Sequence, residues 1–292
     1  MARRLLLVAC LACTAAHPSA RQNGQVFSGG THVVPVYATV TDARGELVAD
    51  LTAADFQIED NGARQALAIF KHDVQPITIA ILVDASPSLF PAAGQTATVV
   101  TDFTRRLLPA DRACLGTFSH VVTLDPQLTG RADALVARLG APAPWPAGTA
   151  VWDAIEAGRA ALADEGGRRV ILVVTDGEDN ASRVDPDVTR ASLQREGVMV
   201  YALAVRGRFG LDMSDLGALA NATGGRSIEL KSSGEISTAM QRIADELHAQ
   251  YVLGFNPAKL DGKLHRLDIS VKRSGATVRA RRTYFAAKPE GK

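Results

Sequence analysis

The sequence predicts an α/β protein: a doubly wound, mostly parallel sheet flanked by helices, with an accessory β unit built from the N- and C-terminal flanks. Three observations predict it. Four near-continuous apolar runs (77–83, 114–118, 170–174 and 198–205) read as strands buried on both faces. Stretches of helical periodicity separate them, which is the alternation of βαβ units. Outside residues 76–250 the pattern reverts to short alternating strands with turn signals.

The chain begins Met-Ala-Arg3-Arg4 and continues into the apolar run from Leu5 to Ala16. A basic start, a short apolar stretch and small residues at Ala16 and Ser19-Ala20 predict a signal peptide over 1–20 and an exported protein, whether periplasmic, cell-surface or secreted. The run is shorter than the roughly 20 apolar residues that span a bilayer, and no later run approaches that length, so no transmembrane span is expected. Cys10-Leu-Ala-Cys13 has the form of a redox or zinc pair, but both cysteines fall within the targeting segment. Only five apolar residues precede Cys10, so it is not read as a lipid anchor. Cys114 then stands alone, without an internal disulfide, on a strand destined for the core.

Residues 21–32 read as a leader, and 33–75 as an N-terminal β unit. Within it, Val33 to Thr41 is β-branched and ends at the turn Asp42 to Gly45; 56–60 alternates, Asn61-Gly62 is a hairpin signal, and Gln65 to Phe70 resumes the strand. Between the four apolar runs, helices are expected over 93–108, 150–162 and 185–196, the last opened by Asp185-Pro186. A fourth, over 233–248, carries Ile236, Met240, Ile243 and Leu247 on one stripe. The C-terminal β unit, 251–286, contains strands at 251–255, 265–271 and 276–285, and it is expected to join the N-terminal flank in one accessory sheet.

The balance of 32 Lys and Arg against 31 Asp and Glu gives a net charge of +1, so no basic excess points to nucleic acid. Loss of residues 1–20 takes away Arg3 and Arg4 and no acid, which brings the charge to −1. Lys272, Arg273, Arg279, Arg281 and Arg282 make the C-terminal β unit locally basic, read as a solvated face or as a contact for an anionic partner.

The chemistry concentrates in three loops. Asp84-Ala-Ser86-Pro-Ser88 follows the first buried strand and offers a carboxylate and two hydroxyls, hard oxygen donors suited to Mg²⁺, Mn²⁺ or Ca²⁺. Thr175-Asp176-Gly-Glu-Asp-Asn180 follows another, and Gly148-Thr149 opens a helix. In open α/β sheets ligands bind beyond the carboxyl ends of the strands, where these loops belong.

In that order, Asp84-x-Ser86-x-Ser88, Gly148-Thr149 with Asp153 following, and Thr175-Asp176-Gly177 resemble the metal-ion-dependent adhesion site of a von Willebrand factor type A domain, whose fold is Rossmann-like. The resemblance covers about 76–250. The flanks, including Asp42-Ala-Arg-Gly45 and Val278-Arg-Ala-Arg281, are similar to a bacterial exported group of such proteins. The resemblance implies that Asp84, Ser86, Ser88, Thr149 and Asp176 hold a divalent cation, Mg²⁺ first, with Mn²⁺ or Ca²⁺ as alternatives. It also implies a protein partner whose acidic side chain completes the coordination. Pro87 stands where the family usually has Gly, and it stiffens the loop.

Two other classes compete with this reading. One is an envelope scaffold that keeps the fold around a metal-free site. The other is a metal-assisted hydrolase with Glu178 or Asp179 as base. The chain has no His-Glu-x-x-His, no Gly-x-Ser-x-Gly and no phosphate-binding Gly-x₄-Gly-Lys motif. Ser119-His120 are neighbours, and on a strand they would point to opposite faces. No catalytic role is therefore assigned.

Overall fold

The computed structural model describes residues 33–85, 89, 95–139, 148–176, 179–205 and 214–289. The signal and leader segments, Ser86, Ser88 and Glu178 lie outside the described residues.

The chain runs through β1 (Val34–Thr41), β2 (Phe56–Asp60), β3 (Ala63–Gln65), β4 (Leu67–Lys71), β5 (Ile77–Asp84), α1 (Gln95–Thr104), β6 (Arg112–Phe118), β7 (Val122–Thr129), α2 (Ala132–Val136) and α3 (Val151–Ala161). It continues through β8 (Arg168–Thr175), α4 (Pro186–Glu196), β9 (Met199–Val205), α5 (Ser214–Thr223), β10 (Ser227–Leu230), α6 (Ile236–His248), β11 (Tyr251–Phe255), β12 (Leu264–Val271), β13 (Thr277–Arg279) and β14 (Thr283–Phe285).

The central sheet has the order β10-β9-β8-β5-β6-β7. All its pairings are parallel except β6 with β7. The apolar runs are the strands of this sheet, and the reason is burial on both faces. Ile77, Ile79, Ile81 and Val83 enter one core with α1 and α6, while Ala80 and Leu82 enter the other with α3. The edge strand β7 is exposed at alternate positions, and Asp125-Pro126 interrupts its apolar pattern.

Helix ends follow local chemistry. Asp185 caps α4 by accepting from the Asp187 N–H at 2.8 Å, Pro186 fills the first turn, and Gly197 at φ 68° closes the helix in the left-handed region.

The flanks meet, but they form two four-stranded sheets and not one. Their orders are β13-β1-β11-β4 and β14-β12-β2-β3. The stretches 65–70 and 276–285, each expected as one strand, are divided between two. The chain leaves one sheet at Ala66, between β3 and β4, and again at 280–282, between β13 and β14. Val36, Ile58, Tyr251, Phe255, Leu267 and Tyr284 fill the core of this accessory unit. Among the described residues, no helix is long and apolar enough to cross a membrane.

Polar side chains weld the two units. Buried Glu246 of α6 accepts from the Tyr201 hydroxyl of β9, from Thr39 of β1 at 3.3 Å and from the Arg279 guanidinium of β13. Buried Arg168 of β8 donates to the carbonyls of Leu247 and Gln75 and, at 3.1 Å, to Gln250.

Candidate functional site

Strand β5 sits between β6 and β8, and the chain winds away from it in both directions. The carboxyl end of β5 is therefore the switch point of the sheet, where a crevice opens. Asp84 is the last residue of that strand and is fully buried. The Thr175 hydroxyl, at the end of neighbouring β8, donates to its Oδ2 at 2.8 Å. Asp176 follows directly and is 8% exposed. Two carboxylates thus occupy adjacent strand ends, where burial disfavours charge unless donors or a cation compensate.

Thr149 reaches the same rim from the N-terminal side of α3 and is 7% exposed. A chain of backbone bonds sets its place. The Ala85 N–H donates to the Phe118 carbonyl at 2.8 Å, and the Ala150 N–H donates to the Ser119 carbonyl at 2.7 Å. The ends of β5 and β6 and the start of α3 are thereby tied together.

The loop after β8 completes the tie. The Thr149 N–H donates to Asn180 Oδ1 at 2.8 Å, and the Asn180 N–H returns to the Thr149 carbonyl at 3.0 Å. The first turn of a helix has N–H groups without partners of their own. Here the Val151 N–H donates to Asp179 Oδ1 at 2.8 Å, and the Trp152 and Asp153 N–H groups both reach Ser182 Oγ, at 2.9 and 3.1 Å. In return, Asp153 Oδ1 accepts from the N–H groups of Arg183 and Val184 at 2.8 and 2.9 Å. Residue 148 is glycine for a steric reason: a Cβ there would lie 2.9 Å from both the Ala181 Cβ and Asn180 Oδ1.

Of the five residues expected to gather, Asp84, Thr149 and Asp176 stand on one rim, and Ser86 and Ser88 lie outside the described residues. The three contribute hydroxyl and carboxylate oxygens. Such oxygens are hard donors; among the described residues, no three His, Cys, Asp or Glu side chains cluster as a metal-holding group.

Sequence reasoning did not find Thr175, Asn180 and Ser182 as supports. Asn180-Ala-Ser182 has the form of a glycosylation sequon, but Ser182 accepts from the first turn of α3, and Asn180 accepts from Thr149, two residues before that helix. Asp179 likewise accepts from a helix N–H. Ser119 and His120 lie beyond the end of β6, and their side chains approach to 3.4 Å, because the strand alternation no longer applies there. Cys114 is buried, and burial pushes its thiol up to about 11, which makes it an inert core residue.

The family model of the von Willebrand factor type A domain matches residues 78–266. No curated protein matches the chain. Among solved structures, the chain is similar to proximal thread matrix protein 1 from the mussel byssus with a zinc-occupied MIDAS motif. The TM-score is 0.53 and the identity 21%, over 65% of this chain and 50% of that one. It thus spans about half the length of the mussel protein. It is also similar to a von Willebrand factor type A protein from Catenulispora acidiphila, with a TM-score of 0.50 and 13% identity over 86% of this chain and 73% of that one. At these identities the likeness is one of fold.

Proposed function

From the premise that this chain belongs to the von Willebrand factor type A family, we propose that it is an exported, metal-dependent protein-binding module. Asp84, Ser86, Ser88, Thr149 and Asp176 are the residues that would hold a divalent cation, Mg²⁺ first and Mn²⁺ or Ca²⁺ as alternatives. The observation that carries this is the rim itself: two buried carboxylates on adjacent strand ends with a buried threonine hydroxyl-bearing residue beside them.

When bound, the cation supplies an electrophilic position that an acidic side chain of a partner protein can occupy. The chain's own residues do the rest. Thr175 occupies one oxygen of Asp84 and so fixes the carboxylate's orientation. Asn180 holds the backbone of Thr149 from both sides. Asp179, Ser182 and Asp153 lock α3 to the loop that carries Asp176. These bonds fix the donors in advance, so that little ordering is left to be done when a ligand arrives.

The test is calorimetric titration of the chelated protein with Mg²⁺ and Mn²⁺, beside Asp84→Ala and Thr149→Ala. Saturable binding in the folded wild type, lost in both variants, is the expected result. Absence of binding in a folded wild type would overturn the metal-dependent reading and leave a scaffold. If metal binds, a partner captured equally with and without it would overturn the capture step.

A further inference from the structure

A cavity of about 200 Å³ lies where the accessory unit meets the central one. Asn221 of α5 lines one side, and Asp268 of β12 with Arg279, Arg281 and Arg282 line the others. The joint around it is tight. The Arg282 N–H donates to the Ala222 carbonyl at 3.0 Å, and a Cβ on Gly224 would lie 2.5 Å from the Arg281 nitrogen. Gly224 has φ 86°, so both its backbone and its surroundings call for glycine.

The charges around this cavity do not balance. The Arg279 guanidinium is paired with Glu246, and Asp268 is held by Arg266 through contacts of 2.9 and 3.1 Å. Arg281 and Arg282 have no such carboxylate: no ion pair of either is found among the described residues. Arg281 donates from Nη2 to the Pro35 carbonyl at 2.6 Å. Its Nε and that of Arg279 are buried and have no hydrogen-bond partner. A buried guanidinium costs free energy unless an anion and acceptors compensate it. Burial pushes the Arg281 pKa down to about 10, and the groups opposing that are the phenols of Tyr37 and Tyr284, not a carboxylate.

We propose that this cavity is an anion site that takes a small oxyanion, a phosphate or a carboxylate, against the three arginines of its lining: Arg279 and Arg281, whose Nε groups have no acceptor, and the exposed Arg282. Its size sets the ligand class. Sites for drug-sized ligands occupy roughly 300–1,000 Å³, whereas about 200 Å³ accommodates an oxyanion with a few waters. Guanidinium groups present a planar fork matched to two oxygens of either anion. The site lies on the joint between the units and is built without any residue of the β5–β8 rim.

The experiment is calorimetry of the full chain with a metal chelator present. Inorganic phosphate and acetate are titrated separately at ionic strength matched with sodium chloride. Saturable binding of at least one anion is expected. Arg282→Ala and Arg281→Met should each weaken it by about tenfold or more. Asp268→Asn removes the one acid of the lining and should tighten it. Arg282 is exposed, so its variant keeps the test open even if Arg281→Met does not fold. The acetate arm separates a phosphoryl ligand, bound from phosphate alone, from a carboxylate bound from either. Absence of saturable binding of both anions, or equal binding by the wild type, Arg282→Ala and Asp268→Asn, would overturn the proposal.

Discussion

Replacement of Thr175 by valine isolates one bond at the rim. Valine keeps the β-branched shape and suits the last position of β8. It removes the hydroxyl that donates to Asp84 Oδ2 at 2.8 Å. Both residues are fully buried, so water does not readily replace the lost donor. A hydrogen bond to a charged group is worth about 1.5–3 kcal/mol, and removing one partner leaves the other to bear its desolvation. The expected loss of stability is therefore about 1.5–3 kcal/mol, or about 10- to 150-fold in the folded-to-unfolded ratio. For a protein of this size that corresponds to a fall in Tm of about 3–12 °C. Urea titration followed by circular dichroism, with chelator present, measures it; the slope with denaturant should not change. The double variant with Asp84→Asn supplies the control, because residues in one hydrogen bond do not act additively. A loss below about 0.5 kcal/mol, or additivity of the two substitutions within that margin, would refute the assignment of this bond as a support of a charged Asp84.

Other outcomes follow from the same reasoning. Burial alone would raise the Asp111 carboxyl, but bonds from His248 at 2.7 Å and from the N–H groups of Ile77 and Leu108 outweigh it and hold the group below its ordinary value. A depressed carboxylate stabilises the fold above its unfolded pKa of about 3.9, and that contribution disappears as pH falls through the lower folded value. Stability of the wild type should thus fall more steeply than that of Asp111→Asn below about pH 4, in a series of denaturant titrations. Ser182→Ala removes an acceptor shared by two N–H groups of α3 and should cost about 0.5–2 kcal/mol by the same assay. Cys114, buried with its thiol raised to about 11, should resist a disulfide reagent in the folded protein and react at once in denaturant.

The residues made some levels of this structure legible and hid others. Strands β5, β8 and β9 announce themselves because burial on both faces demands an unbroken apolar run. Strand β7 does not, since an edge strand is half exposed and this one contains Asp125-Pro126. Helix α5 and strand β10, neither anticipated, are short, and α5 contains Gly217. The passage of the chain from β3 to β4, or from β13 to β14, leaves the alternation of side chains intact, so a change of sheet cannot be read from the pattern. At the rim, Asp84, Thr149 and Asp176 were visible because each follows a strand or opens a helix in a spacing that is itself a signal. Their supports were not. Asn180 and Ser182 act on residues about thirty positions earlier, and Thr175 on one 91 positions earlier, distances over which local sequence carries no trace of a contact.

The pairing of β1 with β11 joins Val34 to Phe255, and that of β2 with β12 joins Phe56 to Val271. The strands that precede the central unit are therefore completed by strands that follow it. Between β4 and β11 lies the whole central unit, from β5 to α6. Val36, Ile58 and Phe56 pack in one core with Tyr251, Phe255 and Leu267 of the C-terminal flank, so their burial waits on contacts that span that unit. The central sheet takes all its strands from β5 to β10 and can close first. The accessory unit is thus a clasp whose strand pairing spans the whole central unit, and since long-range pairing is slow, its closure is expected to be the last step of folding.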